Sequence, residues 1–320
     1  MTDTVCLTGA TGFVGRHLTA ALLARGLTVS SISRKDVPRI DGRVEVQRGS
    51  LLDHGDSLRF LRPGSALIHL AYSATPDPTV NLAVARNLVM AAGMAGVKKM
   101  VHVSTAAVVG RVDADMVDEA TPCNPSDDYE RIKLEIEHIL ASGCRQSGIP
   151  LVIVRPTAIF GQGGENLVKL IQQVDHDRPT LRLLRACLYG RRRLNLVAID
   201  NVVAAICHVL NLNTPNGECF FISDDHVPEN NYVDVAETVR LVRGISSPAI
   251  RSAVDLSPFL PATLRALGRS NVNPRRVYRC EKLLASGYRP AVPFLDAVKA
   301  FAARQGRASD AGTDEALRSP

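Results

Sequence analysis

Residues 4–15, TVCLTGATGFVG, run from an apolar stretch straight into glycines at positions 9, 12 and 15 and then into a helical pattern. Gly9, Gly12 and Gly15 at this spacing allow a tight turn and a close backbone approach, so that a pyrophosphate can rest on the free amides of a helix N-terminus. A glycine triplet elsewhere would specify only a turn. Between a strand and a helix it specifies dinucleotide binding, with Thr11, Phe13 and Val14 completing the expected contact surface.

Outward from this loop, short apolar runs alternate with amphipathic ones. TVSSIS (28–33), VEVQRG (44–49), ALIHLAY (66–72), KMVHVST (99–105) and PLVIVRP (150–156) read as strands. Helices are expected from about Phe13 to Arg25, from about Val80 to Ala95, and over DYERIKLEIEHILASGCRQSG, residues 128–148. This alternation predicts a doubly wound α/β domain whose parallel sheet is covered on both faces. After Pro156 the pattern becomes irregular, with GQGGEN (161–166) and an arginine-rich stretch, before LVAIDNVVAAICHVL (196–210) returns to the sheet domain. The expected organisation is a dinucleotide domain of residues 1–157 and about 193–213, and a smaller mixed lobe of about 158–192 and 214–303. The polar tail 304–320 is expected to be loosely attached.

The 320 residues are 46% hydrophobic and 22% charged, as in ordinary soluble proteins. A net charge of +6 raises nucleic acid as a partner, but aromatics are only 4% and tryptophan is absent, so anionic small substrates account for the charge better. The seven cysteines (6, 123, 144, 187, 207, 219 and 280) form no C-x-x-C pair and no metal-ligand spacing. They read as reduced thiols of a cytoplasmic protein without a metal site. No secretory signal is visible in MTDTVCLTGA, and no apolar run reaches the roughly 20 residues that a membrane span needs.

Two further patterns carry chemistry. The second strand ends in Ser33-Arg34-Lys35, where a carboxylate would accept the ribose hydroxyls of NAD. A guanidinium fork and a hydroxyl there suit a 2′-phosphate, so NADP(H) is favoured, with NAD as the other cofactor the loop accepts. In DDYERIKLEIEHIL, Tyr129 and Lys133 stand four apart and share one helix face at the rim of the stripe formed by Ile132, Ile136, Ile139 and Leu140. Glu130, Arg131, Glu137 and His138 are expected to point the other way.

With TGATGFVG, HLAY, NLAVARNLVMAA, VHVSTAAVVG, YERIK, RPTAIFGQG, LNLVAIDNVVAAI and EKLLASGYRP, the chain from about residue 4 to 303 resembles the extended short-chain dehydrogenases/reductases. These are nucleotide-sugar epimerases, dehydratases and reductases with a Rossmann sheet and a substrate-binding lobe. The resemblance implies that Tyr129 exchanges a proton with the substrate oxygen while Lys133 favours the phenolate and holds the nicotinamide ribose. Lowering a tyrosine pKa from about 10 to near 7 requires roughly 4 kcal/mol of differential stabilisation. Counting back five positions from Gly110 makes Thr105 the hydroxyl that orients the same oxygen, with Ser104 facing the cofactor. Ala106 and Ala107 stand where dehydratase relatives carry two acids, which argues against elimination of water.

The same resemblance assigns Leu70, Ala71 and Tyr72 to the cofactor, Pro156 and Ile159 to the nicotinamide, and Asn81 to support of the site. Ser50 replaces an acidic residue that reads the adenine, beside Leu51. On the substrate side, Ala106 contacts the substrate, Asn166 meets the sugar or first phosphate, Arg193 grips the diphosphate and Arg269 is a further candidate for a second grip. The basic strand end, and the resemblance of the run RPTLRLLRACLYGRRRLNLVAIDNVVAAI to 4-keto-sugar reductases of polysaccharide pathways, favour a 4-ketoreductase of UDP- or dTDP-4-keto-6-deoxy sugars. A UDP-hexose 4-epimerase is the alternative, and a non-catalytic NADP-binding sensor a minor one. The helix from Val80 to Ala95, apolar almost all round, and Leu134 on the next helix imply a homodimer.

Overall fold

A computed structural model describes residues 4–36, 42–73, 77–246 and 273–316, the last segment as backbone alone beyond residue 305. The chain opens with β1 (Thr4–Thr8), α1 (Phe13–Ala24), β2 (Thr28–Ser33), β3 (Val44–Arg48), α2 (His54–Phe60) and β4 (Ala66–His69). Next come α3 (Thr79–Met94), β5 (Lys99–Val103), a 3-10 turn (Ala106–Val109), β6 (Met116–Val117), α4 (Asp128–Ser147) and β7 (Leu151–Pro156). The irregular half holds β8 (Ala158–Phe160), α5 (Val168–His176), α6 (Pro179–Tyr189), β9 (Leu196–Ala198), α7 (Ile199–Asn211) and β10 (Glu218–Ile222). It ends with α8 (Tyr232–Val242), β11 (Val277–Tyr278), α9 (Glu281–Ala285) and α10 (Phe294–Ala316).

The main sheet has the order β10-β7-β5-β4-β1-β2-β3, and every pairing in it is parallel. From β1 the chain winds to β2 on one side and later to β4 on the other, so the carboxyl ends of β1 and β4 bound a crevice that no crossover covers. Side chains alternate across the sheet. Val5 and Leu7 join the core under α1 and α7 with Leu18, Leu22, Val202 and Ile206, whereas Cys6 joins Leu88, Ala92, Ile136 and Leu140 under α3 and α4. Burial on both faces explains why the strands read as continuous apolar runs.

A third core, with Phe160, Ile171, Val174, Val235, Val239, Phe294 and Phe301, lies among α5, α8 and α10 beside the two-stranded pair β8-β9. A second small pair, β11-β6, joins residues 277–278 to 116–117. No helix among the described residues is long and apolar enough to cross a membrane.

Three features depart from expectation. Residues 218–222, expected in the lobe, form β10 and extend the main sheet beside β7, because the apolar run from Phe220 to Ile222 finds its burial there. The backbone of α10 stays helical to Ala316, past residue 304 where the tail was expected to begin. Glu130 and Glu137, expected to face solvent, are buried. Glu130 accepts hydrogen bonds from the Ser126 amide and hydroxyl, and Glu137 holds Arg155 of β7 through two hydrogen bonds of 3.0 and 2.6 Å.

Candidate active site

The glycine loop is shaped by close backbone contact. Gly9 turns with φ +77°, and a β-carbon there would sit 3.0 Å from the Ala71 amide nitrogen at the end of β4. At Gly15 a β-carbon would lie 2.0 Å from the Gly9 carbonyl oxygen, so only glycine lets α1 pack this tightly on the loop. Gly12 starts α1 with no capping side chain and no acidic residue in the first turn, which leaves the amides able to receive an anion. A cavity of about 440 Å³ lies along this loop, lined by Gly9, Thr11, Gly12, Ser33, Arg34, Lys35, Ser50, Leu51, Leu70, Ala71, Tyr72 and Asn81. These residues fit a dinucleotide, with the amides at the start of α1 for its phosphates and two exposed cations at the end of β2. Asp36, the first carboxylate beyond β2, pairs with Arg48 at 3.4 Å and does not line the cavity. Asn81 ties down the loop before α3, accepting from the Ser73 amide at 2.8 Å and donating to its carbonyl at 2.9 Å.

Beyond Tyr72 a second cavity, of about 460 Å³, opens at the carboxyl end of β5. Phe13, Ser104, Thr105, Ala106, Tyr129, Pro156, Ile159 and Asn166 line it, so the residues expected at the nicotinamide and the reacting sugar converge there. Val14 and Gly15 lie behind the glycine loop, Val14 packed on the core and Gly15 buried. Thr105 caps the 3-10 turn by accepting the Ala107 amide at 3.2 Å, and its hydroxyl and the Tyr129 phenol line the same cavity, near enough for the threonine to favour the phenolate.

Tyr129 stands in the first turn of α4, which Asp127 caps by accepting the Glu130 amide at 2.8 Å. Its side chain is 43% exposed, while Lys133, one turn on, is 6% exposed and lies beneath. The ammonium sits 4.7 Å from the centroid of the Tyr72 ring, and Tyr72 meets Tyr129 edge-on at 5.4 Å. Burial pulls the Lys133 pKa down to about 8, with Glu137 opposing the shift. Partial burial pushes the Tyr129 phenol up, and the nearby Thr105 hydroxyl pulls it back. Beside Lys133, Thr8, His69 and His102 form a polar row across β1, β4 and β5. The Thr8 hydroxyl meets His69 Nδ1 at 2.8 Å, and the two imidazoles stack at 5.2 Å. Burial, with the nearby lysine, pulls His69 down to about 3, so it stays neutral.

The sequence pattern of the NAD dependent epimerase/dehydratase family matches residues 5–222. The chain belongs to this family. Among its relatives, the UDP-glucose 4-epimerase of Vibrio cholerae is 29% identical over 255 residues, spanning 75% of each chain. Sterol demethylase protein B of Methylococcus capsulatus is 36% identical over 172 residues, 49% of this chain and 52% of that one, so the match spans about half of that relative. The crystal structure of the Thermotoga maritima UDP-glucose 4-epimerase with UDP-glucose superposes with a TM-score of 0.71 at 18% identity, covering 93% of this chain and 97% of that one. At that identity the likeness speaks for the fold.

Within this epimerase/dehydratase-family site, two expected substrate residues stand apart. The Arg193 guanidinium donates to the carbonyls of Val227 at 2.9 Å and Pro228 at 3.3 Å and lines neither cavity. Arg269 lies outside the described residues. Conversely, Thr157, Asn195, Arg276 and Tyr278 line the second cavity without having stood out in the sequence. Arg276 is buried and donates to the carbonyls of Gly110 at 2.8 Å and Val112 at 2.6 Å, tying β11 to the segment that follows the 3-10 turn. Only the long-range pairing of β11 with β6 brings it there, and no local motif announces that pairing.

Proposed function

We propose that this family member is an NADP(H)-dependent nucleotide-sugar reductase acting on the 4-keto group of a UDP- or dTDP-4-keto-6-deoxy sugar for surface polysaccharide. The observation that carries the reading is that the Thr105 and Tyr129 hydroxyls line one cavity above buried Lys133, next to a cationic nucleotide crevice whose Tyr72 touches Tyr129. When bound, the nicotinamide cofactor supplies the hydride. Tyr129 passes its phenolic proton to the sugar oxygen, and Thr105 donates a hydrogen bond to that oxygen as charge develops on it. One such donor is worth about 10²–10³ in rate, and a positioned acid about 10²–10⁴. Lys133 stabilises the phenolate left behind. Ala106 and Ala107 offer no carboxyl for eliminating water. The lobe built from residues 158–192 and from the chain after β10 supplies the sugar-nucleotide side, with Asn166 and Ala158 at its cavity wall.

Arg34 and Lys35 at the end of β2 support NADPH over NADH. In Arg34→Ala, NADPH is expected to bind about tenfold more weakly, the worth of one charged hydrogen bond, with NADH nearly unaffected. Equal loss for both cofactors, measured by titration of nicotinamide fluorescence, would refute this assignment. The relationship to the Vibrio epimerase favours a second reading, a 4-epimerase that returns the hydride to the opposite face and keeps its cofactor.

We further infer a homodimer formed through α3 and α4. Met90 and Met94 expose apolar surface on α3, and Leu52 lies exposed on the loop before α2; Leu134 of α4 is half-buried. A monomeric mass by light scattering at micromolar concentration would overturn it. Seven thiols without a disulfide support a reducing compartment, the cytoplasm.

A further inference from the structure

Helix α6 turns its apolar side outward. Leu181, Leu183 and Leu184 are 38%, 49% and 59% exposed, and of the whole helix only Ala186 is buried. At 100° per residue, Leu183, Cys187, Leu184, Leu188 and Leu181 share one arc. Arg182 and Arg185 stand on the opposite arc, toward the protein, where Arg185 Nε meets Asp177 at 2.6 Å. A helix packed on a soluble core has the reverse arrangement. Cations flank the apolar arc: Arg178 is exposed just before the helix and Arg191 just beyond it, with Arg192 half-exposed. Residues 178–199 contain six arginines and not one carboxylate.

We propose that α6 is a peripheral docking element that lies on an anionic lipid surface, its leucines at the headgroup boundary and Arg178 and Arg191 on lipid phosphates. Eleven residues rise about 16 Å, too short to span a bilayer but suited to lying in its interface. A second copy of the chain is a poorer occupant. A two-fold contact through this face would set Arg178 and Arg191 of one copy among the like charges of the other, whereas anionic headgroups neutralise them. Docking by one short helix is weak and reversible, and it is independent of the reaction carried by Thr105 and Tyr129.

The test is cosedimentation of the full chain with phosphatidylcholine vesicles, with and without phosphatidylglycerol. Binding is expected to the phosphatidylglycerol vesicles and to weaken as salt rises. Leu183→Asp/Leu184→Asp should reduce it about tenfold or more, and Arg178→Gln/Arg191→Gln should abolish the preference for phosphatidylglycerol. These side chains are exposed, so both variants should keep the melting temperature of the parent, which confirms that they fold. Failure of the parent to pellet with either vesicle would overturn the proposal. So would a drop in oligomeric mass in Leu183→Asp/Leu184→Asp with vesicle binding unchanged, which would make the face a contact between copies.

Discussion

Lys133 concentrates the site's electrostatics in one side chain. Sealed beneath Tyr72 and flanked by neutral imidazoles, it gives up its proton at about pH 8, where a free lysine holds it to 10.5. The ammonium is therefore present below about pH 8 and lost as pH rises through it. Reductive turnover should be level below that value and fall above it, and Lys133→Met should be slow throughout with no such limb. A pH profile of kcat unchanged in Lys133→Met would contradict the role given to the lysine. The same shift has a consequence for stability: between about pH 8 and 10.5 the unfolded chain binds this proton more tightly than the folded one, so the contribution of Lys133 to stability rises with pH across that window. At this scale much of the site was legible. Tyr129 and Lys133 are four apart on one helix, and the glycines sit where a strand meets a helix. Arg193 is harder to read, because an arginine does not declare its partner in the sequence, and here the guanidinium donates to two carbonyls some thirty-five residues away. His69 and His102 left no signal at all, since each sits in an apolar strand and only the register of β1, β4 and β5 makes them a row.

Helix α4 joins that chemistry to the sheet. Its exposed and buried faces are not simply polar and apolar, because Glu137 reaches back to Arg155 of β7 through a bidentate pair with side chains 3% and 9% exposed. The sequence conceals such a pair, as each charge in isolation reads as a surface residue. Removing one partner leaves the other buried without its counter-charge, so Glu137→Gln should destabilise the fold by about 3–5 kcal/mol. Urea denaturation measures this, and a loss below about 1 kcal/mol would show that Arg155 finds another acceptor. Glu137 also favours the ammonium of Lys133, so in the same variant the alkaline limb of turnover should move to lower pH. Strand β10 shows a similar limit on a smaller stretch. An apolar run as short as Phe220–Ile222 fits a lobe or a sheet edge equally well, and its pairing with β7 is a long-range fact.

Across the whole molecule, the sheet, its two covered faces and the crevice between β1 and β4 follow from periodicity that the first half of the chain displays openly. The lobe is less regular because its elements are short and held by contacts far apart in sequence, as where Arg276 meets Gly110 and Val112. The cavity lies between these two parts, lined by the hydroxyls of Thr105 and Tyr129 from the sheet side and by Asn166 and Tyr278 from the other. That arrangement suits a substrate with a reactive carbonyl at one end and a nucleotide at the other. The most direct test is incubation of the protein with UDP- and dTDP-4-keto-6-deoxy sugars and, separately, with UDP-hexoses, each with NADPH, following absorbance and product together, with Tyr129→Phe in parallel. Stoichiometric oxidation of NADPH with formation of the 4-hydroxy sugar, lost about 10²-fold or more in Tyr129→Phe, is the result the account predicts. Isomerisation of a UDP-hexose without consumption of NADPH, or turnover unchanged in Tyr129→Phe, would contradict it.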